Sequence, residues 1–94
     1  MTSIMKLALD RYGPAAQICT AMEEMGELTA ALNRFFFRNR GEIDQVVEEI
    51  ADVEIMLAQL RLIVGADKVA EAKLAKLERL SHRLKAPTEE RVEA

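Results

Sequence analysis

Hydrophobic residues recur along most of the chain at intervals of three and four positions, which is the period of an amphipathic helix. No stretch alternates for long enough to predict a strand. A first helix is predicted from about Thr2 to Tyr12, where Gly13-Pro14 interrupts the pattern. Because proline suits the first turn of a helix, this pair predicts a break followed at once by a second helix.

The second predicted helix runs from Pro14 to about Phe37 and stops before the turn signal Asn39-Arg40-Gly41. Its large apolar residues form one stripe that we expect to face the core, namely Ile18, Met22, Met25, Leu28, Leu32, Phe35 and Phe36. Three consecutive phenylalanines, residues 35–37, fan over about 200° of a helix and cannot all reach one core. At least one is expected to contact another chain or to stack on a nucleobase.

A third helix is predicted from about Ile43 to Val64, and a fourth from Asp67, its expected N-cap, to about Leu84. Gly65 separates them as a helix stop. The residues expected to face inward are Ile43, Val46, Ile50, Val53, Leu57, Leu60 and Val64 in the third helix, and Ala70, Leu74, Leu77, Leu80 and Leu84 in the fourth.

Short loops force successive helices to pack antiparallel, so the pattern predicts an all-α antiparallel bundle of about four helices. This domain covers residues 1–85, and the polar, aperiodic residues 86–94 are predicted to form a flexible tail. A chain of 94 residues is small for a packed core, so a partner subunit would help its stability.

Charge and cysteine content exclude several classes of function. Thirteen Lys and Arg against 16 Asp and Glu give a net charge of −3, which argues against nucleic-acid binding. Cys19 is the sole cysteine, so the chain has no disulfide framework and no CxxC metal site. It also lacks an apolar run of about 20 residues and a signal-peptide layout, so we expect a soluble cytoplasmic protein with no membrane partner.

Two acidic clusters, EEMGE and EEIAD, carry the candidate chemistry. Each contains a pair spaced three residues apart, Glu24 with Glu27 and Glu49 with Asp52, so each pair shares one helix face. Facing residues of an antiparallel hairpin have position numbers with a constant sum. Glu24 with Asp52 and Glu27 with Glu49 both give 76, so all four acids should converge at one level, with Glu24 and Glu49 nearest the core.

Four carboxylates held together repel one another unless a cation binds between them. Oxygen-only ligation favours a hard divalent ion such as Mg²⁺, with Mn²⁺ as the alternative. Solvated acids on helix surfaces are the competing interpretation for either cluster alone. A di-iron bundle is excluded because such sites use Glu-x-x-His, and His82 is the only histidine.

The two motifs, ExxE and then ExxD after 21 intervening residues, resemble the signature of the MazG-like, all-α nucleoside triphosphate pyrophosphohydrolases. The resemblance covers roughly residues 11–85 and includes EEMGELTAAL, VVEEIADVEIMLAQLRLI and KLERLSHRL. It implies hydrolysis of an NTP or dNTP to the monophosphate and pyrophosphate. It further implies that Mg²⁺ is bound by Glu24, Glu27, Glu49 and Asp52, and that the chain forms a homodimer or homotetramer.

Among the remaining candidates, Arg34 and Arg38 follow from their place on the carboxylate face, Lys73 from its place in the apolar stripe of the fourth helix, and Lys76 from the resemblance. Glu23 and Glu48 each precede a candidate ligand, so they are candidates for a base or for support behind the ligands. Arg34, Arg38, Lys73 and Lys76 are candidates for contacting substrate phosphates. The alternative to an enzyme is a non-catalytic helical interaction or nucleotide-binding module derived from the same family.

Overall fold

The computed structural model describes residues 3–86, and this part of the chain is helical and contains no strand. Its elements are α1 (Ile4–Tyr12), α2 (Pro14–Leu32), a π-helical turn (Asn33–Phe37), α3 (Ile43–Val64) and α4 (Ala66–Leu84). The predicted all-α class is therefore confirmed. None of the helices described is long and apolar enough to cross a membrane. Thr2 and the predicted tail from residue 87 onward lie outside the described residues.

Local chemistry explains where the helices begin. The Ser3 hydroxyl accepts a hydrogen bond from the Lys6 backbone N–H at 3.1 Å and caps α1. Gly13 has φ +86°, a conformation that L side chains rarely adopt, and Pro14 then opens α2 as predicted. Before α3, the backbone N–H of Glu42 donates to the Gln45 side-chain oxygen at 3.1 Å. This contact is one half of a capping box.

The expected start of α4 was wrong. Gly65, with φ +117°, occupies the N-cap position, and α4 begins at Ala66. The chain turns within a single residue because glycine tolerates this conformation, so the helix is already formed where Asp67 stands. Asp67 instead lies in the first turn of α4, where a carboxylate interacts favourably with the helix dipole.

The chain divides into two compact units, one ending at Ile63 and one beginning at Val64. Within the first unit, α2 and α3 lie side by side. The side chains of Gln17 and Gln59 are hydrogen-bonded, and Glu24 on α2 lies close to Glu49 and Asp52 on α3. Since higher numbers on α2 meet lower numbers on α3, the two helices form an antiparallel hairpin.

The core of this hairpin differs from the predicted apolar stripes. Its buried residues are Gln17, Ala21, Ala31, Val46, Val53, Met56 and Gln59. Val46 and Val53 were predicted, whereas the predicted α2 residues Ile18, Met22, Met25 and Leu32 are exposed, and so are Ile43, Ile50 and Leu57 on α3. On α2 the buried stripe is rotated by about one residue, roughly 100°, from the stripe of largest hydrophobes.

The second unit contains α4, whose described residues include none that is buried. Leu74, Leu77 and Leu80 form a stripe along one side of the helix and are exposed. These leucines were expected to be buried, and in the single chain they are not. The packing of α4 into a bundle stays a prediction.

Ala31 provides a test of the hairpin packing. Its side chain is 2% exposed, so Ala31→Leu must displace the residues that are packed around it. We expect the free energy of unfolding to fall by about 1–3 kcal/mol, as for other overpacked cores. Ala30 is exposed, so the matched Ala30→Leu change should stay within about 0.5 kcal/mol of the unmodified chain. Urea titration compares them, and equal effects would contradict the packing described.

Candidate metal centre

The inner face of the hairpin carries the candidate acids. On α2, Glu24 follows the buried Ala21 by three residues, so both lie on the face that packs against α3. On α3, Glu49 follows the buried Val46 by three residues in the same way. Both glutamates are accordingly half-buried, as predicted for the two acids nearest the core. Helix packing thus directs two carboxylates into the space between α2 and α3.

Three of the four acids converge closely. Glu24, Glu49 and Asp52 each offer a carboxylate oxygen, and these oxygens all lie within 4.8 Å of one another. We call these three residues the carboxylate cluster. The Oε2 atoms of Glu24 and Glu49 are buried and have no hydrogen-bond partner. Unpartnered buried carboxylate oxygens are costly, and a divalent cation is a ligand that would satisfy them.

The electrostatics of the cluster agree with this geometry. Burial raises the pKa of Glu24, and the negative charges of Glu27, Asp52 and Glu49 raise it further. Burial is also the main cause that raises the pKa of Glu49, followed by the charges of Glu27 and Asp52. A hydrogen bond with Glu27 adds to this increase, and the positive charge of Arg34 opposes it. The apo site therefore favours retention of a proton, which a bound cation would displace.

Glu27 stands slightly apart from the other three predicted ligands. It is exposed and does not belong to the carboxylate cluster, although it lies close enough to raise the pKa of Glu49. Asp52 is exposed as well, so the open side of the site is formed by Glu27 and Asp52. The predicted order of depth, with Glu24 and Glu49 inside and Glu27 and Asp52 outside, is confirmed.

The two long faces of the hairpin differ in chemistry. Residues one position before the inner stripe lie on one face, and they include Glu23, Glu27, Arg34, Glu48 and Asp52. Residues one position after it lie on the opposite face, and they include Ile18, Met22, Met25, Leu32, Val47, Ile50 and Leu57. The carboxylate cluster therefore opens onto a charged face, and the other face is mostly apolar and exposed, with Glu54 as a charged residue on it.

The predicted base and phosphate-binding residues are all exposed, and some of them lie near enough to affect the acids of the cluster. Glu23 and Glu48 are exposed, and the charge of Glu23 contributes to the raised pKa of Glu24. Arg34 lies near enough to influence Glu49, whereas Arg38 is exposed at the end of the π-helical turn. Lys73 and Lys76 are exposed on α4, in the second unit. Phosphate binding by these four basic residues stays a prediction.

A surface depression on α4 is lined by residues of that helix and by none of the predicted acids. It has a volume of about 580 Å³ and is lined by Ala75, Glu78, Arg79, His82 and Arg83. One helix supplies all of these residues, so the depression is an open groove rather than an enclosed site. The carboxylate cluster is the group within residues 3–86 whose ligand atoms fit a metal ion.

A buried amide pair next to this site was not among the predicted functional residues. Gln17 and Gln59 are buried in the same inter-helix face and are hydrogen-bonded to each other. A signal for it was present, since their position numbers also add to 76, the sum shared by the paired acids. Hydrophobic periodicity does not indicate such residues, because it follows large apolar side chains and not buried polar ones.

Comparisons of the chain with known protein-family models, with curated proteins and with solved structures find no match. The class of the protein is thus described by its fold and site alone: it is an all-α protein with a carboxylate cluster between two helices.

Proposed function

We propose that this chain is a Mg²⁺-dependent nucleoside triphosphate pyrophosphohydrolase of the MazG-like type, which converts an NTP or dNTP to the monophosphate and pyrophosphate. The observation that carries the proposal is the pair of buried, unpartnered Oε2 atoms of Glu24 and Glu49 within the carboxylate cluster. Two half-buried acids without cationic partners in the cluster are poorly explained as solvated surface. The resemblance of the ExxE and ExxD motifs supplies the reaction class.

The residues present fit a hard divalent cation. Glu24, Glu49 and Asp52 would hold it, and Glu27 completes the set from the open side. When bound, Mg²⁺ neutralises phosphate charge, polarises phosphoryl oxygens and lowers the pKa of water. Glu23 and Glu48 lie on the charged face beside the cluster, where either carboxylate can accept a proton from the attacking water. Arg34 lies beside Glu49, and its charge suits contact with a substrate phosphate.

A substrate panel tests this proposal directly. The protein is incubated with the four NTPs and the four dNTPs in Mg²⁺ or Mn²⁺, and pyrophosphate and monophosphate are measured. We expect equimolar release of both products from at least one triphosphate, and none in excess chelator. Nucleotide binding without cleavage of any triphosphate would instead favour the non-catalytic module and would remove the enzyme from consideration.

We further propose that a second copy of the chain covers the apolar face of the hairpin, giving a homodimer or homotetramer. Met22 and Val47 are each 58% exposed on this face, and neighbouring residues are also large hydrophobes. Contiguous exposed apolar surface of this kind is typical of protein interfaces. The described residues include seven that are buried, so pairing with a second copy would enlarge the small hydrophobic core.

Val47→Glu is expected to reduce the oligomer to monomers, because it introduces a charge into the centre of the apolar face. Light scattering coupled to size-exclusion chromatography measures the change. Ile55 is an exposed hydrophobe of the same helix, but it lies one position before the buried Met56 and therefore on the charged face, so Ile55→Glu serves as the matched control and should leave the mass unchanged. A monomeric unmodified chain at micromolar concentration would contradict this part of the proposal.

A further inference from the structure

The hairpin contains a buried polar contact that the proposed chemistry does not use. Gln17 Nε2 donates a hydrogen bond to Gln59 Oε1 at 2.7 Å, and the two side chains are 8% and 4% exposed. The second amide makes a longer contact, from Gln59 Nε2 to Met56 Sδ at 3.7 Å. Among the described residues, these two glutamines are the buried polar side chains, in a core that is otherwise apolar.

The amide pair and the carboxylate cluster are fixed relative to each other by helix geometry. Gln17 lies seven residues before Glu24, and Gln59 lies seven residues after Asp52. Seven residues make two turns, so each glutamine lies on nearly the same face as the acid and about 10.5 Å along the axis. An axial register that aligns the two amides therefore also aligns the acids.

The rest of the interface specifies this register weakly. Ala21 and Ala31 are small, and Met56 is flexible, so the helices could slide by a turn and still bury apolar surface. The acids oppose convergence, because their like charges repel when no cation is bound. A slide would leave both amides buried without partners, which is unfavourable. A single buried polar contact is known to fix register in this way in coiled coils.

We propose that Gln17 and Gln59 form a positioning pair, whose hydrogen bond sets the register of α2 against α3 in which Glu24, Glu49 and Asp52 converge. Neither glutamine touches the cation; both act through the helices that carry the acids. The consequence for cation affinity rests on the proposed function, whereas the effect on register does not.

The test is the double variant Gln17→Met with Gln59→Met. Methionine has a similar length and no amide, so the apolar core is kept while the directional contact is lost. Replacing both partners of a buried hydrogen bond leaves stability nearly unchanged or raises it. We expect the midpoint of thermal unfolding to be retained, and the Kd for Mn²⁺, measured by electron paramagnetic resonance, to rise by about tenfold or more.

Methyl NMR of the metal-free protein reads the register without any cation. Ala21 and Ala31 lie in the interface, so their methyl resonances report how α3 packs against α2. We expect one set of resonances in the unmodified chain and broadened or doubled sets in the double variant. Val46→Ala is the control, because it removes apolar volume from the same interface and keeps the amide pair. It should lower the unfolding midpoint but leave the Kd for Mn²⁺ within about twofold.

A single set of methyl resonances and a Kd for Mn²⁺ within about twofold of the unmodified value in the double variant would overturn the proposal. If the unmodified chain binds no Mn²⁺, the proposed function fails, and the methyl spectra still decide the register. Should the double variant not fold, Gln59→Glu and Gln59→Met replace it. Glutamate keeps an acceptor for Gln17 Nε2 and should preserve the single set, whereas methionine should not; equal spectra would reject the positioning role.

Discussion

Replacing Glu49 by glutamine is expected to lower kcat/KM for triphosphate hydrolysis by more than about 100-fold, because even residues behind metal ligands typically contribute roughly 10- to 100-fold. Glutamine keeps the shape of the side chain but removes the negative charge that a cation requires. The same change removes a buried carboxylate oxygen that has no hydrogen-bond partner. Thermal unfolding of the metal-free Glu49→Gln variant should therefore occur at an equal or higher temperature than that of the unmodified chain.

Activity and stability thus move in opposite directions, which separates loss of the site from loss of the fold. Glu54 is exposed on α3, five residues further along, and lies outside the carboxylate cluster. Glu54→Gln makes the same change in charge and should leave both measurements close to those of the unmodified chain. Retention of more than about a tenth of the activity by Glu49→Gln would remove this residue from the site.

Addition of Mg²⁺ or Mn²⁺ is expected to raise the unfolding temperature strongly. A ligand at 100 times its Kd that binds only the folded state contributes about 2.7 kcal/mol. For a domain of this size, that corresponds to an increase of roughly 10–20 °C. Differential scanning fluorimetry at increasing cation concentration measures the effect. Sodium chloride at equal ionic strength is the control, because general screening of the acids also stabilises the fold.

The size of this increase should depend on pH in a direction set by the acids. Folding raises the pKa of both Glu24 and Glu49 above the ordinary value of 4.5. Their contribution to the stability of the metal-free chain is therefore present below that value and is lost as the pH rises through the folded-state pKa. Cation binding requires the charged form, so its stabilising effect should be larger at pH 8 than at pH 5.

The unfolding temperature is measured with and without the cation at each pH, which separates the cation-dependent stabilisation from the titration of other groups. The Glu24→Gln and Glu49→Gln double variant should lose the cation-dependent increase at both values of pH. An increase that is the same at pH 5 and pH 8, or that survives in the double variant, would place the cation elsewhere.

The positions of the helices could be predicted from the sequence because their breaks have strong local signals. Gly13-Pro14 and Gly65 lie where the structure ends one helix and begins another, and α3 has the predicted bounds Ile43–Val64. The start of α4 was wrong because an aspartate is a good N-cap by type. Gly65, two residues earlier, occupies the N-cap position instead, so α4 has already begun before Asp67.

The core could not be predicted equally well, for a physical reason. Hydrophobic periodicity identifies the face of a helix that avoids water, whether another helix of the same chain or another molecule covers it. In α2 the largest hydrophobes, such as Met22, lie on the exposed face, whereas the small residue Ala21 lies on the buried face. Residue size along a stripe therefore gave a misleading indication of which side packs within the chain.

The candidate site was more predictable than the core around it. Helical phase and the shared sum of position numbers depend only on backbone geometry, and they correctly brought Glu24, Glu49 and Asp52 together. The looser place of Glu27 follows from side-chain orientation, which position numbers do not contain. The amide pair could not be predicted because its role depends on burial, which hydrophobic periodicity indicates only for apolar residues.

The π-helical turn at Asn33–Phe37 bears on how the length of this chain can vary in evolution. Its closing hydrogen bond joins the Arg38 N–H to the Asn33 carbonyl at 3.1 Å, five residues back rather than four. The turn thus holds one residue more than an α-helix needs. Losing a single codon there would restore a regular helix and leave Glu24 and Glu27 in place, because both precede it. Insertions and deletions in related chains are therefore expected to cluster at the three phenylalanines.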